Sequence, residues 1–380
     1  MTDTIPGNAT LIGRAHIPGY SYPRIITVRD GGLYDITAKS MATVRDIAES
    51  ADPAGYIRAA KGIRVGDLET ALANPGNSPD AVTLLSPIDL QAIKASGVTF
   101  VASLLERVIE EQALGDKSRA DALREEVIAL IGTDLSKIVP GSEQAMALKQ
   151  TLISKGIWSQ YLEVGIGPDA EIFTKSQPMS SVGHGADVGL HPISRWNNPE
   201  PEIALLVSSK GQILGATLAN DVNLRDVEGR SALLLGKAKD NNASAAVGPF
   251  IRLFDQSFTL DDVKSAELTL RIEGEDGFTL DGASNMAQIS RSPESLVAAT
   301  IGTHHQYPDG IILMLGTMFA PTKDRDGIGQ GFTHKLGDVV EISTPLLGTL
   351  RNRVQLSTEC PPWTYGTSHL LRDLAKADLL

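Results

Sequence analysis

The chain is nearly without cysteine. Cys360 is the single one, so no disulfide within the chain can brace the fold. This fits a reducing compartment, and the cytoplasm is the expected location. Positive charge is also short: 34 Lys and Arg stand against 46 Asp and Glu, a net charge of −12, and the basic residues are scattered. That balance argues against nucleic acid or an anionic membrane as partner, since both select basic patches. No run approaches the roughly 20 apolar residues that span a bilayer. The opening Met1-Thr2-Asp3-Thr4 is polar and acidic, unlike a signal peptide. The triplets at Asn8 and Asn242 are then chance matches to a glycosylation site. Several catalytic motifs are missing too. There is no Gly-x-Ser-x-Gly elbow and no phosphate loop, and Gly165-Ile166-Gly167-Pro168 lacks the third glycine of a dinucleotide fingerprint.

What is present suits a large folded enzyme. With 380 residues, 42% of them apolar and 21% charged, the chain can bury a sizeable core and divides as two domains, 1–150 and 151–380. Residues 1–95 mix short strand-like runs, such as Ile25 to Val28, with helix-like pieces such as 42–50. Leu104, Leu105, Val108 and Ile109 recur at helical spacing, as do Leu123, Val127, Leu130 and Ile131, and a third helix is expected over 143–154. From Gly156 onward, short apolar runs alternate with turn residues, and strands are expected near 258–260, 266–272 and 311–315. One helix is expected over 293–301, with Ser292 as its cap and Pro293 in its first turn.

The most telling segment is Asn198-Pro199-Glu200-Pro201-Glu202, followed 19 positions after Glu202 by Asp221. Between them lies a hairpin pattern: an apolar run from Ile203 to Val207, a Ser208-Ser209-Lys210-Gly211 turn, and a second run from Ile213. A turn centred on Lys210 sets Glu200 opposite Asn220 and Glu202 opposite Leu218. Glu200 and Glu202 share one strand face, and the hairpin returns Asp221 beside it. Three such carboxylates repel unless a cation joins them, and all-oxygen ligation suits Mg²⁺, Mn²⁺ or Ca²⁺.

At this hairpin the chain resembles the fumarylacetoacetate hydrolase family. Pro199 to Glu202 with Asn220-Asp221-Val222-Asn223-Leu224-Arg225-Asp226 is similar to the family's metal motif. Lys239 to Gly248-Pro249 resembles its active-site lysine segment, 310–317 its strand ending in Gly-Thr, and 336–341 with 348–352 its closing strands. The resemblance implies an α+β protein: a mixed β-roll catalytic domain binding a divalent metal, with a smaller α/β N-terminal domain. It also implies a homodimer or homotetramer. Within the family, the spacing of 18 from Asp221 to Lys239, and Glu171 in Gly167-Pro168-Asp169-Ala170-Glu171, resemble the branch that dehydrates 2-keto-3-deoxy pentonates.

On that resemblance Mg²⁺, with Mn²⁺ or Ca²⁺ as alternatives, sits on Glu200, Glu202 and Asp221. The ligand is a small 2-oxo sugar acid. Lys239 takes a C3 proton, stabilises the enolate, or serves as counter-charge to the carboxylates. Lys237 would share its face on a strand and competes with it. Glu171 acts as acid or base, or as a fourth ligand. Thr317 is a candidate to hold the substrate carboxylate or is an ordinary strand end, Arg225 holds that carboxylate or braces Asp226 in an ion pair, and Lys175 with Gln177 closes over the substrate or lies in an exposed polar loop. His184, set among glycines, is the residue to consider if the chemistry is instead hydrolysis of a 1,3-diketo acid. A non-catalytic oxo-acid-binding protein is the alternative outside enzymes.

Overall fold

The computed structural model describes residues 5–74, 80–100, 104, 108–109, 138–154, 156, 158–319, 321–327 and 330–380. Its strands are β1 Leu11–His16, β2 Arg24–Arg29, β3 Gly32–Asp35, β4 Ile63–Asp67, β5 Thr83–Leu85, β6 Ala92–Gly97, β7 Glu171–Ser176 and β8 Asp187–Leu190. They continue with β9 Pro201–Val207, β10 Ile213–Asp221, β11 Ala245–Leu253, β12 Glu267–Glu273, β13 Thr279–Asn285, β14 Ile311–Met314, β15 Val339–Thr344 and β16 Gly348–Leu356. Eleven strands form one sheet in the order β4-β3-β2-β1-β11-β10-β9-β14-β6-β7, with β5 on β1; five form a second, β13-β12-β15-β16-β8. The pairs β14–β6 and β16–β8 are parallel, which makes both sheets mixed.

The two sheets face each other across the main core. Ile203, Leu205 and Val207 of β9 meet Leu268, Leu270 and Ile272 of β12, with Val340, Ile342, Leu350 and Val354 filling the layer. Burying each such side chain contributes about 1.5–3 kcal/mol. β12 keeps strict alternation, its odd members exposed, because only one face is covered. β9 is buried along its whole length: Ala204 and Leu206 on its other face pack with Ile12, Ile25, Val44 and Ile47. An uninterrupted apolar run is what a strand covered on both sides requires, and the Glu200–Glu202 end therefore lies deep in the molecule.

Strands from the first hundred residues enter this same large sheet. β1 bonds to β11, and β6 lies between β14 and β7. The helices Glu143–Ser154 and Pro293–Thr300 form where the periodicity places them, and the Ser292 hydroxyl accepts the Ser295 N–H at 3.1 Å as an N-cap. Leu104, Val108 and Ile109 are helical and buried. The helix expected around Leu123, Val127, Leu130 and Ile131 lies outside the described residues. The strand expected at 258–260 does not form. Thr259 instead caps the helix Leu260–Lys264 in a capping box with Asp262, so the local hydrogen bonds outweigh the short apolar run.

Candidate active site

The hairpin β9–β10 builds the centre. Its register pairs Glu202 with Ala219 and Pro201 with Asn220, one residue off the spacing expected from a turn at Lys210. The cause is a bulge between Ile213 and Gly215, which inserts one residue into β10. The shift brings Asp221 level with Glu200, and the Asp221 N–H donates to the Glu200 carbonyl at 3.1 Å. Beyond the strands, Asn198 and Asn223 exchange backbone hydrogen bonds at 3.1 Å each, so the ladder runs past the acidic residues and fixes them. Glu200, Glu202 and Asp221 each bring one carboxylate oxygen within 4.8 Å of the others, and all three are buried.

Two lysines stand against them. Lys239 Nζ lies 2.5 Å from Glu200 Oε2 and 3.1 Å from Asp221 Oδ2; Lys175 Nζ lies 2.7 Å from Asp221 Oδ1. Burial alone would raise Asp221, but the ammoniums of Lys175 and Lys239 more than offset it and hold the carboxyl below its ordinary value. Glu202 is pushed well above its ordinary value, first by burial and then by the charges of Asp221 and Glu200. Three buried carboxyl groups thus face two lysines, and the ionised form is most disfavoured at Glu202. A compact set of carboxylate oxygens with uncompensated charge fits a hard divalent cation; Glu200, Glu202 and Asp221 are the residues that would hold it.

Neighbouring backbone stiffens the set. The Gly316 N–H donates to Glu202 Oε2 at 2.7 Å. Gly316 has φ +99°, and an added Cβ would fall 2.0 Å from Thr99 Oγ1, so only glycine brings that N–H to the carboxylate. Lys239 ends the helix Leu235–Lys239, not a strand; Lys237 is therefore exposed on another face, and the choice between the two lysines falls to Lys239. The Ser244 hydroxyl donates to the Lys239 carbonyl at 2.7 Å.

The cavity over the carboxylates is lined by Gly97, Tyr161, Glu171, Phe173, Glu200, Asp221, Glu228, Lys239 and Thr317. Glu171 heads β7 opposite Gly97 of β6, and its carboxylate lies on that glycine: a Cβ at Gly97 would sit 1.8 Å from Oε2. Thr317 lines the cavity, with its hydroxyl donating to the Phe319 carbonyl at 3.0 Å. Lys175 is fully buried and donates to the carbonyls of Val222, at 3.1 Å, and Lys239, which makes it part of the charged centre and not a closing loop. Gln177 sits in an exposed turn, its carbonyl accepting the Ser180 N–H. Arg225 does not line the cavity. Its guanidinium lies over the Trp196 ring at 5.4 Å and donates to the Pro321 carbonyl at 3.4 Å. His184 lines a different cavity, its ring nitrogens 3.0 Å from the carbonyls of Thr349 and Leu72. His304 and His305 are exposed, and His305 stacks on Tyr307.

Ser96, Gly97, Val98, Tyr161, Phe173 and Glu228 line the cavity and escaped the sequence reading. Glu228 lies three residues after Arg225, on the one-turn helix Arg225–Glu228; the single turn that follows the metal motif was the available signal. Tyr161, on the helix Gln160–Ile166, reaches the cavity through tertiary packing that no local pattern encodes.

The chain is similar to several known proteins. The chain is 36% identical over 183 residues to 2-dehydro-3-deoxy-D-arabinonate dehydratase of Saccharolobus solfataricus, covering 47% of this chain and 57% of that one. It is 30% identical over 194 residues to a probable 2-keto-3-deoxyxylonate dehydratase of Haloferax volcanii, covering 51% and 63%. The matches thus span about three fifths of these relatives' length. Among solved structures, the apo form of 2-keto-3-deoxy-D-arabinonate dehydratase superimposes with TM-score 0.63 at 23% identity, covering 91% of this chain and 99% of that one. The same enzyme complexed with magnesium and 2,5-dioxopentanoate gives 0.61 at 23% identity, with the same coverage. These likenesses establish the shared fold. The family described as fumarylacetoacetate (FAA) hydrolase C-terminal matches residues 163–355, just over half of the chain. The chain belongs to the fumarylacetoacetate hydrolase family.

Proposed function

We propose that the protein is a hydro-lyase that dehydrates a 2-keto-3-deoxy pentonate, of the D-arabinonate or D-xylonate type, to 2,5-dioxopentanoate. The observation that carries this is the buried trio Glu200, Glu202 and Asp221 with Lys239 against two of its members and Glu171 in the same cavity. The names of the two sequence relatives, and the magnesium and 2,5-dioxopentanoate bound by a fold neighbour, support the choice of substrate and of Mg²⁺.

A divalent cation on the trio would supply a chelating anchor for the C1 carboxylate and C2 oxygen and make the C3 hydrogens acidic. Lys239 then has two duties. Without the cation its ammonium neutralises Glu200 and Asp221; with a cation to take over that neutralisation, its neutral amine is the group to exchange a proton at C3. Lys175 keeps Asp221 and the Lys239 backbone in place from behind. Thr317 borders the substrate, and Phe173 gives the lysine an apolar wall, its ring centre 5.6 Å from Nζ. Glu171 serves proton transfer at the carbons remote from the carboxylates. The reading extends to a step of oxidative pentose breakdown, a cytoplasmic location, and a homodimer or homotetramer. Among the described residues no helix is long and apolar enough to cross a membrane.

The test is purified protein with racemic 2-keto-3-deoxypentonate, coupled to a 2,5-dioxopentanoate dehydrogenase. NAD(P)H production with Mg²⁺ that stops with EDTA supports the proposal. Absence of product with metal present refutes it and turns attention to carbon–carbon hydrolysis of a 1,3-diketo acid.

A further inference from the structure

We propose that Glu228 is a second catalytic carboxylate, the acid that protonates the departing C4 hydroxyl; this rests on the dehydratase reading above. The active-site cavity has two chemically distinct ends. At one end stand Glu200 and Asp221 of the carboxylate trio, with Lys239. At the other, Tyr161, Glu171 and Glu228 form a wall shared with an adjoining cavity lined by Val164, Ala232 and Leu235. A five-carbon acid held by C1 and C2 at the first end extends C4 and C5 toward the second.

Of the two carboxylates there, Glu171 is spread on the Gly97 backbone and half-buried, whereas Glu228 is 6% exposed. Glu228 is carried inward by the short helix Arg225–Glu228. A carboxyl shielded from bulk water delivers its proton to substrate with less competition from solvent.

The step balances. With a cation on the trio in place of its charge, Lys239 starts as the neutral amine and takes the C3 proton, the C3–H electron pair forms the C3=C4 double bond, and the C4–O bond breaks. The oxygen leaves with its electron pair, accepts the Glu228 proton and departs as water. Glu171 then accepts a C5 proton, C3 regains one from Lys239, and the resulting enol becomes the C5 aldehyde. A proton passed from Glu171 to Glu228, which share one wall, returns all three side chains to their starting states.

The experiment separates the two ends in D2O. Wild type and Glu228→Gln, both loaded with Mg²⁺, are followed by NMR with 2-keto-3-deoxypentonate for water elimination. They are then followed with 2-oxobutanoate, which has C3 protons but no leaving group, for C3 exchange. The glutamine keeps the shape and removes the transferable proton. The expected result is elimination reduced 10²- to 10⁴-fold, with exchange and Mn²⁺ affinity within about 2-fold of wild type. Elimination reduced less than 10-fold overturns the assignment. Exchange lost as deeply as elimination overturns it too, because Glu228 would then serve the metal and lysine end. Wild type that exchanges 2-oxobutanoate yet eliminates water from no 3-deoxy-2-oxo acid sinks the dehydratase reading itself, and this assignment with it.

Discussion

Replacing Lys239 by methionine separates its role as a charge from its role as a chemical group. Lys239 is 3% exposed, with Nζ 2.5 Å from Glu200 and 3.1 Å from Asp221. Its loss leaves Lys175 alone against three buried carboxylates. Removing one partner of a buried ion pair costs about 3–5 kcal/mol. For 380 residues the unfolding entropy is roughly 0.8 kcal/mol per degree, so metal-free Lys239→Met is expected to melt about 4–6 °C below wild type. Excess Mg²⁺ shrinks that gap, because a cation on the trio takes over the neutralisation. Activity is expected to stay at least 10²-fold down, since charge is restored but the group at C3 is not. Differential scanning fluorimetry in EDTA and in Mg²⁺, beside the coupled assay, reads both effects. Equal melting temperatures in EDTA would refute the electrostatic argument. Near-wild-type turnover in Mg²⁺ would reduce Lys239 to a counter-charge.

Three further outcomes follow from particular contacts. Gly97→Ala places a Cβ where Glu171 Oε2 lies, so the carboxylate must swing away; kcat is expected to fall about as far as in Glu171→Ala, with a melting temperature within about 2 °C of wild type. Asp338 accepts from Arg325 at 2.7 and 2.8 Å, from His334 Nδ1 at 3.0 Å and from the Lys335 N–H at 3.0 Å. Burial would raise it, but His334 and Arg325 more than offset that and hold it low. A lowered carboxyl adds stability above its ordinary value of about 4 and loses it as pH falls through the lowered one, so the stability gap between wild type and Asp338→Asn, wide at neutral pH, should close in acid denaturation below about pH 4. Burial, with Asp187 nearby, pushes the Cys360 thiol up to about 11, so labelling by a thiolate-selective disulfide reagent at pH 8 should run more than ~100-fold slower in the native protein than in guanidinium.

The carboxylate trio was legible because a hairpin is a local object. Side-chain alternation and a short polar turn put Glu200, Glu202 and Asp221 together, and even a register wrong by one residue left them adjacent. The bulge at Ile213–Gly215 carries no clear signature in Gln212-Ile213-Leu214, so the offset could not be read. Lys239 was placed by spacing, but its helix was not, since Leu235-Gly236-Lys237-Ala238-Lys239 is too short for periodicity to decide. Lys175 shows the opposite failure. In Phe173-Thr174-Lys175-Ser176 it reads as exposed and polar, and only the long-range approach of Asp221 explains a lysine with no exposure. The sharing of one sheet by β1, β6 and the later strands is likewise invisible locally, because pairings such as β1 with β11 join residues more than 200 apart.

The measurement that tests the central claim most directly is titration of Mn²⁺ into metal-stripped wild type and Glu202→Gln, with turnover measured on the same samples. The account predicts one ion per wild-type chain. In the variant it predicts affinity and turnover each reduced at least 100-fold, with a metal-free melting temperature no lower than wild type, since the glutamine removes the carboxylate that burial and its neighbours disfavour most. A variant that binds Mn²⁺ and turns over as the wild type does would contradict it.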